Sequence, residues 1–292
     1  MIIRPLPLLN FFVVMVMLAI GLRTSGGELL EILNDRRLLV RTLLANCLAI
    51  PILGFLLVHL FPLTSAARIG IMLLAAIPGT PIALQFTRLA KTRLAFAAAL
   101  TFVLSLVSIA MTPLAIATMP EMIRHDEKPL LLLLGSIAVY VTLPLWVGLW
   151  VAKLVPKVAS KLVLPLGALA TVAFLLLMWE TRLMRHQAFD AIRGGGAILA
   201  MFLLLVVSMA IGWWIGGPDR ETRRVVATST GMRSVIVVLY IARYCFPGSS
   251  VHMVPIVYFS LMVPTNLIFH LAFTGWHKLR PADGVRPTKK AA

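Results

Sequence analysis

One charged residue stands where charge is costly. In ATSTGMRSVIVVLYIARY (227–244), Arg233 lies inside an apolar stretch, preceded by Ser229, Thr230 and Gly231 and followed by Ser234. A planar guanidinium binds a carboxylate, sulfonate or phosphate through two parallel hydrogen bonds. An ionised side chain within a membrane span marks a functional site by default. The acidic residues are Glu28, Glu31, Asp35, Glu121, Asp126, Glu127, Glu180, Asp190, Asp219, Glu221 and Asp283. All fall in loops, at span ends or in the tail, so primary sequence places no carboxylate beside Arg233. Three roles follow. A bound anion is the partner, in a pocket with Ser229, Thr230, Ser234, Thr80, Asn46 and Thr101. Or Arg233 is a built-in cation that bonds backbone carbonyls freed by a break in another helix. Or it snorkels to water. Asn266 reaches the same site or bonds a neighbouring helix.

The elements around Arg233 are those of a membrane protein. The chain has 292 residues, of which 60% are hydrophobic and 13% charged, with a mean hydropathy of +0.96. A soluble domain of this size lacks the interior to hide that much apolar surface. A helix needs about 20 apolar residues to cross a bilayer. On that basis the sequence predicts an all-α polytopic fold with nine spans, near 7–23, 39–61, 67–88, 94–118, 129–152, 160–179, 195–216, 223–244 and 252–275. The apolar runs are continuous rather than alternating, which excludes barrel strands. The transmembrane domain covers 1–276, and 277–292 is a basic tail.

The net charge of +16 does not signal nucleic acid. With the N-terminus outside and the C-terminus cytoplasmic, eighteen of the 27 basic residues fall on cytoplasmic segments, at every second loop. Arg220, Arg223 and Arg224 form one such group, and Lys153, Lys157 and Lys161 another. That is the positive-inside pattern of a multi-pass protein of the cell membrane, in contact with lipid. Cys47 and Cys245 fall on different helices and imply neither a disulfide framework nor a metal site. The first apolar run is expected to stay as a helix, because no small-residue cleavage site follows it.

Two spans carry internal breaks. AAIPGTPIALQFTRLAK (75–91) has two prolines flanking Gly79, so its backbone cannot keep helical hydrogen bonds throughout. ATSTGMRS is weakened at Gly231. Lys91 follows Gly79 by twelve residues, and Arg243 follows Gly231 by twelve. The two breaks thus rhyme, with opposite orientation in the membrane. Interrupted helices at matching places of two inverted halves point to the binding site of a secondary transporter. Freed N–H and C=O groups are tolerated at that depth only where protein, water or a solute meets them. Elsewhere, 27–39 is expected along the cytoplasmic interface, and 180–196 as the longest outer loop. GWWIG (212–216) suits close helix packing. His59 and His270 read as interface residues rather than a proton relay.

Three stretches resemble the bile acid:sodium symporter family. IPGTPIALQFTRLAKTRLAFAAALTFVLSLVSIAMTPL resembles its first crossover region, TLPLWVGLWVAKLVPKVASKLVLPL its mid-chain segment, and ATSTGMRSVIVVLYIARY its second crossover. Order and spacing hold from about residue 8 to 275. The resemblance implies inverted repeats, two crossing interrupted helices, a core domain and a panel domain, and alternating access for organic anions. It also implies departures at the sodium positions. A Ser-Asn pair of sodium-coupled members is Ala83 and Leu84 here. Of the hydroxyls on the next helix, one is Ala97 and Thr101 remains. Ser229 stands for a Glu, Arg233 for a Gln, and Asn46 for a Gln. Sodium wants several oxygen ligands, preferably with a carboxylate. Most are gone, and a fixed cation has arrived.

The expectation is therefore a transporter of a small organic anion, working without sodium, without a cofactor and without a metal. No nucleophile–base set or nucleotide loop suggests an enzyme. The alternatives are a transporter-derived ligand sensor, or an auxin-carrier-like or arsenite-permease-like relative, the arsenite type being expected to use a thiolate such as Cys47. Nothing in the spacing sets an oligomeric state.

Overall fold

The computed structural model describes residues 6–24, 26–79, 82–89, 93–117, 135–136, 138–192 and 194–279. Every regular element among them is helical. They are α1 Leu6–Arg23, α2 Gly26–Asn34, α3 Arg36–Leu44, α4 Ile50–Leu60, α5 Ser65–Ala76, α6 Ile82–Leu89, α7 Leu94–Ala117, α8 Leu143–Leu154, α9 Pro156–Ile192, α10 Ala197–Ile215, α11 Arg220–Gly231, α12 Val235–Cys245 and α13 Met253–Leu279.

Among the described residues, six helical stretches are long and apolar enough to cross a membrane: Arg36–Leu60, Phe96–Ala115, Pro156–Leu177, Ala197–Ile215, Arg220–Ala242 and Ser250–Phe273. Shorter apolar helices, Pro7–Arg23, Ser65–Ala76 and Ala138–Leu154, stand where three further spans are predicted. The protein is a multi-pass helical membrane protein. One expectation is corrected. Residues 180–192 are not loop but the last turns of the 37-residue α9. The stretch ETRLMRHQAFDAI holds strong helix formers and no breaker before the glycines at 194–196.

Proline shapes the helices locally. α3 runs into α4 through a π-helical turn at Ala45–Ala49, and α8 is preceded by another at Ala138–Thr142. Each precedes a proline at the second helical position, Pro51 and Pro144. The ring clashes with the carbonyl four residues back and offers no N–H, so the turn before it widens. α5 ends at Ala76, just ahead of Pro78 and Gly79, whose φ is +76°. α11 ends at Gly231 and α12 starts at Val235, with Met232, Arg233 and Ser234 between them.

Two packed groups follow from contact. α1 lies along α8 and α9. Gly21 and Gly148 face one another there, and a Cβ on Gly148 would come within 3.0 Å of the Gly21 Cα. α10 lies along α11, where a Cβ on Gly212 would sit 2.7 Å from the Ala227 Cα. The same GWWIG stretch holds Trp214, which is exposed, and Trp213, whose ring packs tilted against Phe273 with centroids 4.7 Å apart. Of the apolar window in Arg220–Ala242, 94% is buried, against 22% in Pro156–Leu177. The interrupted helix is thus the centre of the bundle, and α9 lies at its rim.

Candidate functional site

Arg233 is wholly buried and meets protein on every side. Its Nε donates to the Leu74 carbonyl at 2.9 Å, and Nη2 donates to the Ala75 carbonyl. Nη1 donates to Asn46 Oδ1 at 2.8 Å, and Nη2 also approaches the Asn46 carbonyl at 3.5 Å. Sequence explains why those carbonyls are free. In a continuing α-helix the Leu74 carbonyl would accept from residue 78, but Pro78 has no N–H. Ala75 would be served by residue 79, where Gly79 turns the chain away. In the π turn the Ile50 N–H bonds the Ala45 carbonyl. The next carbonyl, Asn46, would then look to residue 51, again a proline. One guanidinium fills three vacancies left by two prolines and a glycine, and its charge suits the C-terminal end of α5.

Neighbouring groups complete this knot. The Asn46 amide donates to the Thr42 carbonyl at 2.9 Å and to Thr230 Oγ1 at 3.4 Å. The Tyr258 hydroxyl donates to the Gly231 carbonyl at 2.7 Å. The Ser234 N–H donates to the Ile77 carbonyl at 3.4 Å, so the two breaks touch directly.

Beside the knot is a narrow cleft of about 10 Å³, lined by Val13, Met17, Gly79, Ser105, Ser108, Ile109, Val141, Ser234, Ile236 and Val237. Val13 and Met17 come from α1 and Val141 from the turn before α8. The rest come from the first break, α7 and the start of α12. The cleft therefore lies between α1 and the turn before α8 on one side and α7 and the two breaks on the other. Its polar features are few. Ser105 and Ser108 are 3% and 5% exposed, and neither Oγ has a hydrogen-bond partner. Ser234 caps α12 with no side-chain hydrogen bond, and the first turn of that helix, at Ile236 and Val237, faces the cleft. Helix N-termini favour anions.

The sequence-derived residues divide accordingly. Arg233, Asn46 and Thr230 come together in the knot, and Ser234 reaches both knot and cleft. Thr101 Oγ1 donates within its own helix to Ala97 at 2.7 Å. The Asn266 amide does the same to Met262 at 2.9 Å, leaving its buried Oδ1 without a partner. Ser229 Oγ is buried and likewise without one. Ala83 and Ala97 are buried apolar positions. Thr80 lies outside the described residues, as does the side chain of Leu84. Ser105 and Ser108 are additions. The signal for them was a polar seam, since Thr101, Ser105, Ser108 and Thr112 recur at spacings of four, three and four along one face of α7.

Two basic or titratable residues sit differently from expectation. Arg224, on a predicted cytoplasmic loop, is buried, and so is His270, read as an interface residue. Arg224 Nη2 lies 3.3 Å from His270 Nδ1. A guanidinium only donates, so Nδ1 accepts, and Nε2 carries the proton toward Thr228 Oγ1 at 3.0 Å. The Arg224 guanidinium also lies over the Phe273 ring, which offsets its burial between α11 and α13. His59, in contrast, is exposed, with Nδ1 2.8 Å from the Phe55 carbonyl.

A multi-pass helical protein with two interrupted helices meeting at their breaks, and a cleft beside them, has the architecture of a secondary membrane transporter. A profile of the Sodium Bile acid symporter family matches residues 10–188, and the chain belongs to that family. It is 24% identical over 259 residues to the "Probable sodium/metabolite cotransporter BASS5, chloroplastic" of Oryza sativa subsp. indica, covering 84% of this chain and 64% of that protein. To the "Probable sodium/metabolite cotransporter BASS2, chloroplastic" of Oryza sativa subsp. japonica it is 23% identical over 222 residues, covering 75% of this chain and 52% of the relative. The chain thus spans a little under two thirds of the first relative and about half of the second.

Proposed function

We propose that this chain carries a small organic anion across the cell membrane by alternating access, and that it does so without sodium. The reading includes nine spans in two inverted halves, an outer N-terminus and a cytoplasmic C-terminus. The observation that carries it is the place of Arg233. Its guanidinium holds the freed carbonyls of Leu74, Ala75 and Asn46, which are hard oxygens of the kind a sodium ion would take. A fixed cation there does permanently what an exchangeable one does reversibly. A sodium ion about 4 Å from a guanidinium would be repelled by about 4 kcal/mol at an effective dielectric of 20. The relatives' names include sodium; in this chain Arg233 stands where the family resemblance implies a Gln.

The anion sits in the cleft rather than on Arg233, whose donors already face protein acceptors. Ser105 and Ser108 hydroxyls and the N-terminal turn of α12 receive its charged end. Val13, Met17, Ile109 and Val141 receive an apolar body. Ligand binding raises stability by mass action. The test is thermal unfolding of purified protein with a panel of small carboxylates and sulfonates, in sodium or in choline. One anion class is expected to raise the midpoint equally in both salts, and to lose that effect in Ser105→Ala/Ser108→Ala. A shift that appears only with sodium would overturn the sodium-free reading.

A further inference from the structure

Three of the chain's four tyrosines gather in one cluster. The Tyr240 ring lies nearly parallel to that of Tyr140, with centroids 6.3 Å apart and planes at 11°. Tyr244 also lies nearly parallel to it, at 6.5 Å and 15°. The Tyr240 hydroxyl donates to Asn10 Oδ1, and Ser136 Oγ donates to the Tyr244 hydroxyl at 3.3 Å. Tyr240 is 1% exposed.

The positions of these residues continue the walls of the cleft. Asn10 precedes Val13 and Met17 at helical spacing, so the three share one face of α1. Tyr240 and Tyr244 follow Val237 by three and seven residues on α12, again one face. Tyr140 adjoins Val141. Every wall that contributes an apolar residue to the cleft and runs toward the α12 C-terminus thus also contributes a member of the tyrosine cluster. The cluster spans the same division as the cleft, with Asn10 on α1 and Tyr140 before α8 on one side and Tyr240 and Tyr244 on α12 on the other. Its hydrogen bond and its ring stack are therefore made across the surface that must separate if the cleft is to open in that direction.

We infer that the Asn10–Tyr240 hydrogen bond and the Tyr140–Tyr240–Tyr244 stack form the outer gate of the transport path, closed in this structure. The inference rests on the alternating-access reading above and on its topology, which puts the α12 C-terminus outside. A gate of this kind suits its task. Aromatic faces exclude water over a wide area while making only weak contacts. One hydrogen bond adds a net contribution small enough for thermal opening.

The test reads access rather than transport. In a Cys47→Ala/Cys245→Ala background, Ser105→Cys reports the cleft, and an impermeant, negatively charged methanethiosulfonate is applied to intact cells or to inverted vesicles. Tyr240→Phe keeps the ring and removes the hydrogen bond. It is expected to raise the rate of modification from the outer side about two- to tenfold, the range set by one such bond, and to leave the inner-side rate unchanged. Asn10→Ala should do the same, and the double variant should add nothing further. Unchanged rates on both sides, with the reporter still reactive, would overturn the gate and leave the cleft reading standing. An equal rise on both sides would mean general loosening and would also overturn the gate. A reporter unreactive from either side in every variant would overturn the cleft as a transport path and the gate with it.

Discussion

Arg233 acts on three carbonyls that the chain's own prolines and a glycine left without donors. Losing it removes the charge and also exposes the Leu74, Ala75 and Asn46 oxygens to an apolar interior. A buried polar group left unsatisfied costs about 1–3 kcal/mol. Arg233→Met is expected to lower unfolding stability by at least about 1–3 kcal/mol, measured by reversible denaturant titration in detergent. Arg233→Lys should recover only part of it, because an ammonium lacks the planar fork that spans two helices. Arg233→Met within 0.5 kcal/mol of wild type, roughly the scatter of a neutral surface change, would sink the account. Part of this was legible beforehand. A lone charge inside a span pointed to Arg233, and the resemblance pointed to Asn46. The freed Asn46 carbonyl was not legible, since it depends on a π turn that spacing alone does not announce. Ser105 and Ser108 were written in the α7 seam, but a seam does not say which neighbour it faces.

At the scale of elements, the breaks and caps carry the argument. Gly79 has a φ of +76°, and a Cβ there would come within 2.9 Å of the Leu104 backbone. Gly79→Ala is expected to destabilise by about 1–3 kcal/mol through backbone strain alone, read in the same titration. A second case is the start of α11. Asp219 accepts from the Thr222 hydroxyl at 2.7 Å and the Thr222 N–H at 2.8 Å, and these bonds hold its carboxyl below the ordinary 3.8. A depressed folded value means the cap contributes fully above 3.8 and is lost as pH falls through that lower value. Asp219→Ala should therefore cost about 1 kcal/mol near neutral pH, with the gap to wild type closing only in stronger acid. A gap that persists unchanged there would show that the carboxylate is not the source. The break at 75–81 could be read from Pro-Gly-x-Pro, and that at 231–234 from Gly and hydroxyls, because both signals are local. The end of α9 could not, because polar residues that look like loop also extend a helix when nothing stops it.

For the whole molecule, the question is whether α1, α8 and α9 move as a unit against the rest. Gly21 and Gly148 let α1 and α8 approach closely, which favours a rigid group. The cleft occupies part of the boundary between α1 and the elements that face it. Met17 on α1 and Ser108 on α7 both line that cleft. If transport needs the two sides to shift, a bridge between them arrests it. In a background without Cys47 and Cys245, Met17→Cys/Ser108→Cys is expected to lose anion uptake when joined by a short bifunctional thiol reagent whose linker is itself a disulfide. Uptake should return once a reductant cleaves the linker. Each single cysteine, treated alike, controls for occupation of the cleft by the reagent. If a fully bridged protein, verified by mass, still took up its anion at the unbridged rate, the two groups would not need to move. The cleft would then be a fixed pore rather than one station of a two-sided cycle.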